Sequence, residues 1–328
     1  MSILRKHNDL MDTSKLKKFA QEARRKLLAQ VDARLKTVLS EGSLARREHS
    51  TAVEALEKRI KADSKAQVLE EVAYTWFNRF CALRFMDVNR YTPIGTVSPA
   101  DGFLQPEILA EAKQGVIGEA WKIDREVVFG LLDGTRTSAD PQQEVYRLLL
   151  VAVCNHYHSL MPFLFEQIAD FTELLMPDDL LSDNSVLTDM RQAMVLENCS
   201  PEHTEQSVEV IGWLYQFYIS EKKDDVFAAL KKGKKITPEN IPAATQLFTP
   251  HWIVRYLVEN SLGRLWMLNH PESRLVERMD YYIKPDRSLA RSLDRSLDIP
   301  VRDETPSTSN DTQTDGQGCP SYVYAGRG

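Results

Sequence analysis

Apolar residues recur every three and four positions along most of the chain, which is the spacing of amphipathic helices. The first stretch predicts a helix that begins at Asp12 or Thr13 and ends at Gly42. A shorter, mostly polar helix is predicted at residues 51–61. Residues 64–90 predict a buried helix, because apolar side chains fall on more than one face. The apolar positions of the first helix are Leu16, Phe19, Ala20, Ala23, Leu27, Val31, Leu35 and Val38.

The rest of the pattern is also helical, with one ambiguous stretch and one long loop. Residues 127–132 fit either a strand or a helical turn, and residues 91–105 are a loop rich in proline and glycine. The fold class predicted from this pattern is mainly α, with a multi-helix N-terminal domain. The other helices are predicted at residues 106–118, 140–160, 206–221 and 225–232.

The stretch from Ala243 to Trp266 predicts a loop that opens directly into an amphipathic helix. Thr249 is a favourable N-cap, and Pro250 suits the first helical position because its missing N–H is not needed there. The free amides at the start of such a helix can hold an anion, for instance a carboxylate. We expect one face to be buried, and its residues are Ile253, Val254, Leu257, Val258 and Leu262.

Length and composition predict a cytoplasmic protein of two domains, since the 328 residues contain no long apolar run and no secretion signal. The net charge of −6 is unevenly distributed, because residues 1–66 carry 16 basic and nine acidic residues. This basic arm fits contact with DNA phosphates, and it fits equally well docking on the acidic remainder of the chain. The basic face of the first helix consists of Lys17, Lys18, Arg24, Arg25 and Lys26.

A second basic group flanks Gly233, just before the Ala243 stretch. Its lysines either complement the dipole of a helix end or contact DNA phosphates near a cleft, and both interpretations stay open. Arg79 and Arg84, within residues 64–90, are either paired inside the core or directed outward toward nucleic acid. The lysines of the second group are Lys231, Lys232, Lys234 and Lys235.

The sequence gives little support for a metal site or for disulfide bonds. The four cysteines are far apart and form no Cys-x-x-Cys pair, which predicts reduced thiols. His156 and His158 are two residues apart on a helix and therefore do not share a face. The acidic stretch of residues 166–210 contains no ordered ligand pattern for a cation, so we expect a solvated acidic surface that faces the basic arm.

Four short segments together resemble a known family. They are Gln246-Leu247-Phe248-Thr249-Pro250 with Ile253-Val254, Lys231 to Ile236, Ile241 to Thr245, and Trp76 to Cys81. The sequence from about Met11 to about Pro285 resembles the N-terminal part of the PglX-like adenine-specific DNA methyltransferases of bacteriophage-exclusion (BREX) systems. These are related to type I and type IIG N6-adenine methyltransferases.

The resemblance implies a function, a cofactor and partners. It implies transfer of a methyl group from S-adenosyl-L-methionine to the N6 amine of adenine in double-stranded DNA, alongside other phage-defence subunits. It places Phe248, Thr249 and Pro250 beside the cofactor, with Thr249 near the methionine carboxylate. The domains would be a basic helical arm at 1–66, a helical core at 67–240 and the start of a methyltransferase domain at 241–285.

The catalytic part of the family pattern is missing from the sequence. There is no Asn/Asp-Pro-Pro-Tyr/Phe segment, and Gly316-Gln-Gly318 follows no predicted strand. Residues 286–328 are predicted to form a disordered tail, because residues 303–328 contain few aliphatic side chains, and the three Arg-Ser-Leu repeats at the start of the tail suggest a frameshift or truncation. We therefore expect the methyltransferase sheet to be missing, no catalytic residue, and no activity of the chain alone. The alternative function is a stand-alone helical module that binds DNA or a partner.

Overall fold

The computed structural model describes residues 13–162, 165, 170–203 and 207–284, and the predicted tail lies outside them. This part of the chain contains α-helices, two short 3-10 helices and no strand, which confirms the mainly α prediction. The described residues fall into two compact units, Met1–Arg255 and Tyr256–Gly328. None of the described helices is long and apolar enough to cross a membrane.

The helices follow one another in chain order with short connections. They are α1 (Ser14–Leu39), α2 (Leu44–Glu48), α3 (Ser50–Asp63), α4 (Lys65–Val88), α5 (Glu107–Lys113), α6 (Arg125–Leu132), α7 (Pro141–Leu160), α8 (Asp170–Leu174), α9 (Val186–Ala193), α10 (Leu196–Cys199), α11 (Glu209–Tyr218), α12 (Ser220–Lys231), α13 (Ile241–Thr245), α14 (His251–Asn260) and α15 (Leu262–Asn269). The 3-10 helices are Pro238–Asn240 and Arg274–Arg278.

Helix α1 lies at the centre of the first unit. Every apolar position predicted for it is buried, and it packs against α4, α9 and α11. Burial of a side chain such as Leu27, which has no exposed surface, stabilises the fold by about 1.5–3 kcal/mol. The helix begins at Ser14, but the Thr13 side chain makes no capping hydrogen bond.

Helix α4 supplies the aromatic part of the same core. Trp76 and Phe80 have ring centroids 5.4 Å apart, and Phe77 lies 4.4 Å from Tyr218 of α11. The Trp76 Nε1–H donates to the carbonyl of Thr172 over 3.1 Å, which satisfies its one polar group in the interior. The Ser64 hydroxyl caps the start of α4, because it accepts from the Gln67 amide at 3.3 Å.

Several sequence predictions need correction in this unit. Residues 125–132 form helix α6, because the Asp124 carboxylate caps it by accepting the amides of Glu126 and Val127. Helix α2 was not predicted, since five residues are too few to show a periodic pattern. The helix predicted at 206–221 ends at Tyr218, and α12 starts at Ser220.

The expected burial of the apolar face of α14 is wrong. Four of its five predicted residues are exposed, and Leu257 and Leu262 keep 57% and 67% of their surface accessible. An amphipathic face is buried only where another apolar surface covers it, and the described residues provide no such cover. In the second unit, the end of α14 is instead joined to residues 281–283 by polar contacts, in which Glu259 and Asn260 accept the amides of Tyr281 and Ile283.

Candidate cofactor segment and basic surfaces

The segment Gln246–Pro250 is non-helical and connects α13 with α14. Two side chains of the preceding helices hold its backbone. The Gln216 Oε1 accepts from the Phe248 amide at 3.0 Å, and the Lys223 Nζ donates to the Gln246 carbonyl at 2.9 Å. The segment is therefore fixed to α11 and α12 on both sides of Leu247.

The ring of Phe248 lies directly on Gly212 of α11. A Cβ atom built on Gly212 would stand 2.0 Å from Cε2 of Phe248, far inside van der Waals contact. Only glycine at this position allows the ring to approach the helix so closely. Sequence reasoning missed Gly212, although a lone glycine inside an apolar helical pattern is a usable signal of close packing.

Thr249 and Pro250 are half-buried at the start of α14. The helix begins at His251, one residue later than predicted, and the Pro250 carbonyl accepts the amides of Ile253 and Val254 at 3.0 and 3.3 Å. The Thr249 hydroxyl makes no hydrogen bond to any residue that the structure describes. A hydroxyl beside the positive end of a helix, without an internal partner, suits a ligand carboxylate.

The basic residues of α1 divide into two kinds. Arg24 pairs with Glu70 of α4, and its side chain is only 13% exposed. Lys26 pairs with Asp189 of α9 and donates to the Asn184 carbonyl at 2.6 Å. These two cations therefore tie α1 to its neighbours, so their predicted availability for DNA is not supported by their contacts.

The other basic residues of α1 remain on the surface. Lys17 is exposed, and Lys18 reaches Glu22 only at 4.0 Å. Arg25 is 3.6 Å from Glu221, with 62% of its side chain exposed. Such pairs contribute little to stability and leave the charges available to a partner.

The second basic group surrounds the end of α12. Gly233 adopts a φ of +80°, which ends the helix in the left-handed conformation that glycine tolerates. The four lysines around it are exposed and make no ion pair in the part of the chain that the structure describes. Their ammonium groups project into solvent about ten residues before the cofactor segment. The four are Lys231, Lys232, Lys234 and Lys235.

Two acids of the stretch 166–210, Asp178 and Asp189, pair with basic residues of α1. Asp178 lies 3.2 Å from both Arg34 of α1 and Arg147 of α7. Across residues 13–162, 165, 170–203 and 207–284, no group of three acidic, histidine or cysteine residues could hold a metal ion. His158 instead contacts the Phe165 carbonyl through Nδ1 at 2.7 Å.

Three thiols are buried in the first unit, and none is placed for chemistry. Burial raises the pKa of Cys154 and of Cys199 to about 12, and it raises the pKa of Cys81 well above its usual value. A buried thiol with a raised pKa stays protonated and unreactive at neutral pH. These cysteines are structural, and Cys319 lies outside the described residues.

In comparison with known proteins, the chain is related in sequence to adenine-specific methyltransferases. It is 41% identical over 239 residues to the adenine-specific methyltransferase BrxX of Escherichia coli O9:H4 (strain HS), and the match covers 71% of the chain and 18% of BrxX. It is 40% identical over 212 residues to the adenine-specific methyltransferase PglX of Lacticaseibacillus casei (strain Zhang), covering 63% of the chain and 17% of that protein.

These matches confirm the resemblance to PglX-like methyltransferases. The chain spans less than a fifth of the length of the curated relatives that it matches. No protein-family model matches the chain.

Proposed function

We propose that this chain provides the helical domain and the first cofactor-binding segment of a phage-defence methyltransferase that modifies the N6 amine of adenine in DNA. The observation that carries the proposal is the identity of 41% and 40% to BrxX and PglX over more than 200 residues. At this level of identity, most of the chain corresponds to a part of those proteins.

The cofactor segment fits one end of S-adenosyl-L-methionine, which supplies the methyl group when it is bound. The Thr249 hydroxyl and the first-turn amides of α14 would hold its carboxylate, since both present hydrogen-bond donors beside the positive end of the helix dipole. Phe248 and Pro250 would provide apolar contact. The sequence contains no Asn/Asp-Pro-Pro-Tyr/Phe segment, so we assign no catalytic residue to this chain.

The helical domain would act by positioning this segment. Gln216 and Lys223 fix the backbone on either side of Leu247, while Gly212 accepts the ring of Phe248. Because the segment is held by a rigid, packed domain, its geometry is set before any ligand arrives. Pre-organisation of this kind lowers the entropic cost of binding.

Exposed apolar residues in the second unit support a role within a larger assembly. Several large exposed apolar side chains close together in sequence are typical of a surface that another domain or another protein covers. In the proposed enzyme, the remainder of the methyltransferase domain would cover it. The residues are Leu257 and Val258 of α14 and Leu262, Leu265, Trp266 and Leu268 of α15.

A chimera tests the proposal directly. Residues 13–284 replace the matching region of Escherichia coli BrxX, and adenine methylation of cellular DNA is measured by single-molecule sequencing. We expect the chimera to retain methylation. In the same chimera, Thr249→Ala should weaken S-adenosylmethionine binding by roughly tenfold, because about that change in affinity corresponds to the loss of one charge-assisted hydrogen bond. Thr245→Ala, whose hydroxyl bonds only the Ile241 carbonyl, is the matched control.

The isolated chain should transfer no methyl group. Incorporation of labelled methyl from S-adenosylmethionine into DNA by the purified chain would contradict this expectation. A chimera that folds and binds DNA but does not methylate it would count against the proposed function itself.

A second candidate function is a stand-alone module that binds DNA, and the exposed lysines around Gly233 favour it. Neutralising Lys231, Lys232, Lys234 and Lys235 should then weaken DNA binding and lower its salt dependence. Neutralising Lys17 and Lys18 tests the surface of α1 in the same assay. Arg24 and Lys26 are unsuitable for this test, because both are engaged in the fold.

A further inference from the structure

A cavity of about 430 Å³ lies beside the loop that joins α4 to α5, away from the cofactor segment. Arg84 of α4 and Arg191 of α9 both line it, together with Thr188 and Gln192. Two guanidinium groups in one cavity form a site for an anion. Neither the sequence resemblance nor the relatives assign it.

Both guanidinium groups are held by neutral acceptors. Arg84 donates from Nε to the Met194 carbonyl at 3.0 Å and from Nη1 to the Ser98 hydroxyl at 2.8 Å. Its orientation is therefore fixed without a carboxylate.

Arg191 is fixed in the same way. It donates from Nη1 to the Val97 carbonyl at 3.3 Å and from Nη2 to the Thr188 hydroxyl at 2.8 Å. In the described part of the chain, neither arginine makes an ion pair with an acidic side chain. Half-buried cations without a paired anion are unusual and are typical of binding sites.

The acidic groups nearby offset only part of the positive charge of the two arginines. The Asp87 carboxylate is occupied, because it accepts the backbone amides of Thr96, Val97 and Ser98 at 2.9–3.0 Å. Asp101 lines the cavity but is exposed at the tip of the loop. Burial lowers the pKa of Arg84, and the neighbouring charge of Arg191 lowers it further, while Asp87 raises it. A bound anion would relieve the repulsion between the two guanidinium groups.

Two large apolar side chains follow each other on the loop that joins α4 to α5, and the first of them lines the cavity. Phe103, which lines it, is 67% exposed, and its neighbour Leu104 is 87% exposed. Exposed apolar residues next to arginines suit a ligand that combines a phosphate with flat, apolar surfaces, as a DNA strand does. A free inorganic anion would leave these side chains without a partner.

We propose that Arg84 and Arg191 bind one backbone phosphate of DNA, while Phe103 and Leu104 contact the adjacent sugar and base edges. The proposal rests on the proposed function, in that it assumes a DNA substrate. It adds a contact surface that is separate from the basic groups of α1 and α12. Arginine suits the role because its planar fork matches the oxygens of a phosphate.

The test uses the full 328-residue chain and a fluorescently labelled DNA duplex, with anisotropy measured over a series of salt concentrations. Arg191→Gln should weaken binding by about tenfold at ~50 mM salt and reduce the salt slope by about one phosphate contact. Phe103→Ser should weaken binding without changing the salt slope. Arg136→Gln removes the same charge from an exposed turn elsewhere and is the matched control.

The outcomes separate this inference from the proposed function. If the Arg191→Gln and Phe103→Ser variants both bind the duplex with unchanged affinity, the proposed site is wrong, whatever the result of the chimera experiment. Failure of the native chain to bind the duplex would also overturn it. Calorimetric binding of inorganic phosphate without binding of DNA would mean a site for a small phosphorylated ligand, which contradicts the proposal. Arg191→Lys, which keeps the charge, should restore the salt slope but only part of the affinity.

Discussion

Adjacent basic residues of α1 have different roles that their spacing in the sequence does not reveal. Arg24 and Lys26 point to acids on α4 and α9, whereas Lys17 and Lys18 point to solvent. Lys17 and Arg24, which are seven residues apart, lie almost in line on a helical wheel, yet only Arg24 meets an acid. Which of them becomes structural depends on where Glu70 and Asp189 arrive in the fold, and this is a property of tertiary packing.

Arg24→Ala should lower the free energy of unfolding by about 1–3 kcal/mol, because it leaves the mostly buried Glu70 carboxylate without its partner. Lys17→Ala on the same helix should change it by less than about 0.5 kcal/mol, since Lys17 is exposed. Urea unfolding followed by circular dichroism measures both. Equal effects of the two substitutions would show that the Arg24 pair does not hold α1.

Gly212→Ala should lower the free energy of unfolding by about 1–2 kcal/mol, because the new methyl group displaces the Phe248 ring. The same substitution in a Phe248→Ala background should raise it by up to about 1 kcal/mol, since alanine is the better helix former and the clash is gone. The sign reversal is the diagnostic result. A loss of similar size in both backgrounds would mean that the ring does not pack on Gly212.

Helices with a long apolar repeat could be predicted from the sequence, whereas several short helices could not. The buried positions of α1 follow the spacing residue by residue, and the cap at Asp140 marks the start of α7. Helix α6 was ambiguous because its short apolar run fits either a strand or a helical turn, and the Asp124 cap decided it. The sequence also predicted an apolar face on α14, but burial of that face requires a surface that the described residues do not provide.

The exposed apolar residues of α15 should bind a hydrophobic dye. Replacing Leu262, Leu265 and Leu268 with glutamine should reduce fluorescence of anilinonaphthalene sulfonate without lowering the thermal midpoint of the first unit, because exposed positions contribute little to stability. As a contrast, Leu35→Ala in α1 should cost about 2–5 kcal/mol and increase dye binding. Unchanged fluorescence in the triple variant would show that the leucines are covered in solution.

The candidate site could be predicted only in part. The segment Gln246–Pro250 was found from its residues, because a threonine and proline before an apolar repeat mark a helix start. Its anchors Gln216 and Lys223 are ordinary polar residues that lie 32 and 23 positions before their partners, so no local pattern identifies them. Arg191 could not be identified from the sequence either, because its importance comes from lining the same cavity as Arg84.

Alkaline pH should destabilise the protein through its buried thiols. Because the folded pKa of Cys154 and of Cys199 is about 12, each thiol contributes stability that is complete below the unfolded pKa of ~8.5 and is lost as pH rises toward 12. Between pH ~9 and ~11, each thiol should make the free energy of unfolding fall by about 1.4 kcal/mol per pH unit. Cys154→Ala should remove the contribution of one thiol from that slope, whatever the substitution does to stability at pH 7. An unchanged slope would place the thiol in contact with solvent.

Helix α1 packs against α11 although the chain separates them by almost 200 residues, and Gln21 of α1 donates to the Ser220 hydroxyl at the start of α12 over 3.0 Å. On a ribosome, the apolar side of α1 emerges early, and α11 follows only after α2 to α10. At about 5–20 residues per second, α1 stays without α11 for roughly 10–40 seconds. Synthesis therefore leaves the α11-facing side of the central helix uncovered until most of the first unit has emerged, and chaperones that protect nascent chains would encounter that side throughout the interval.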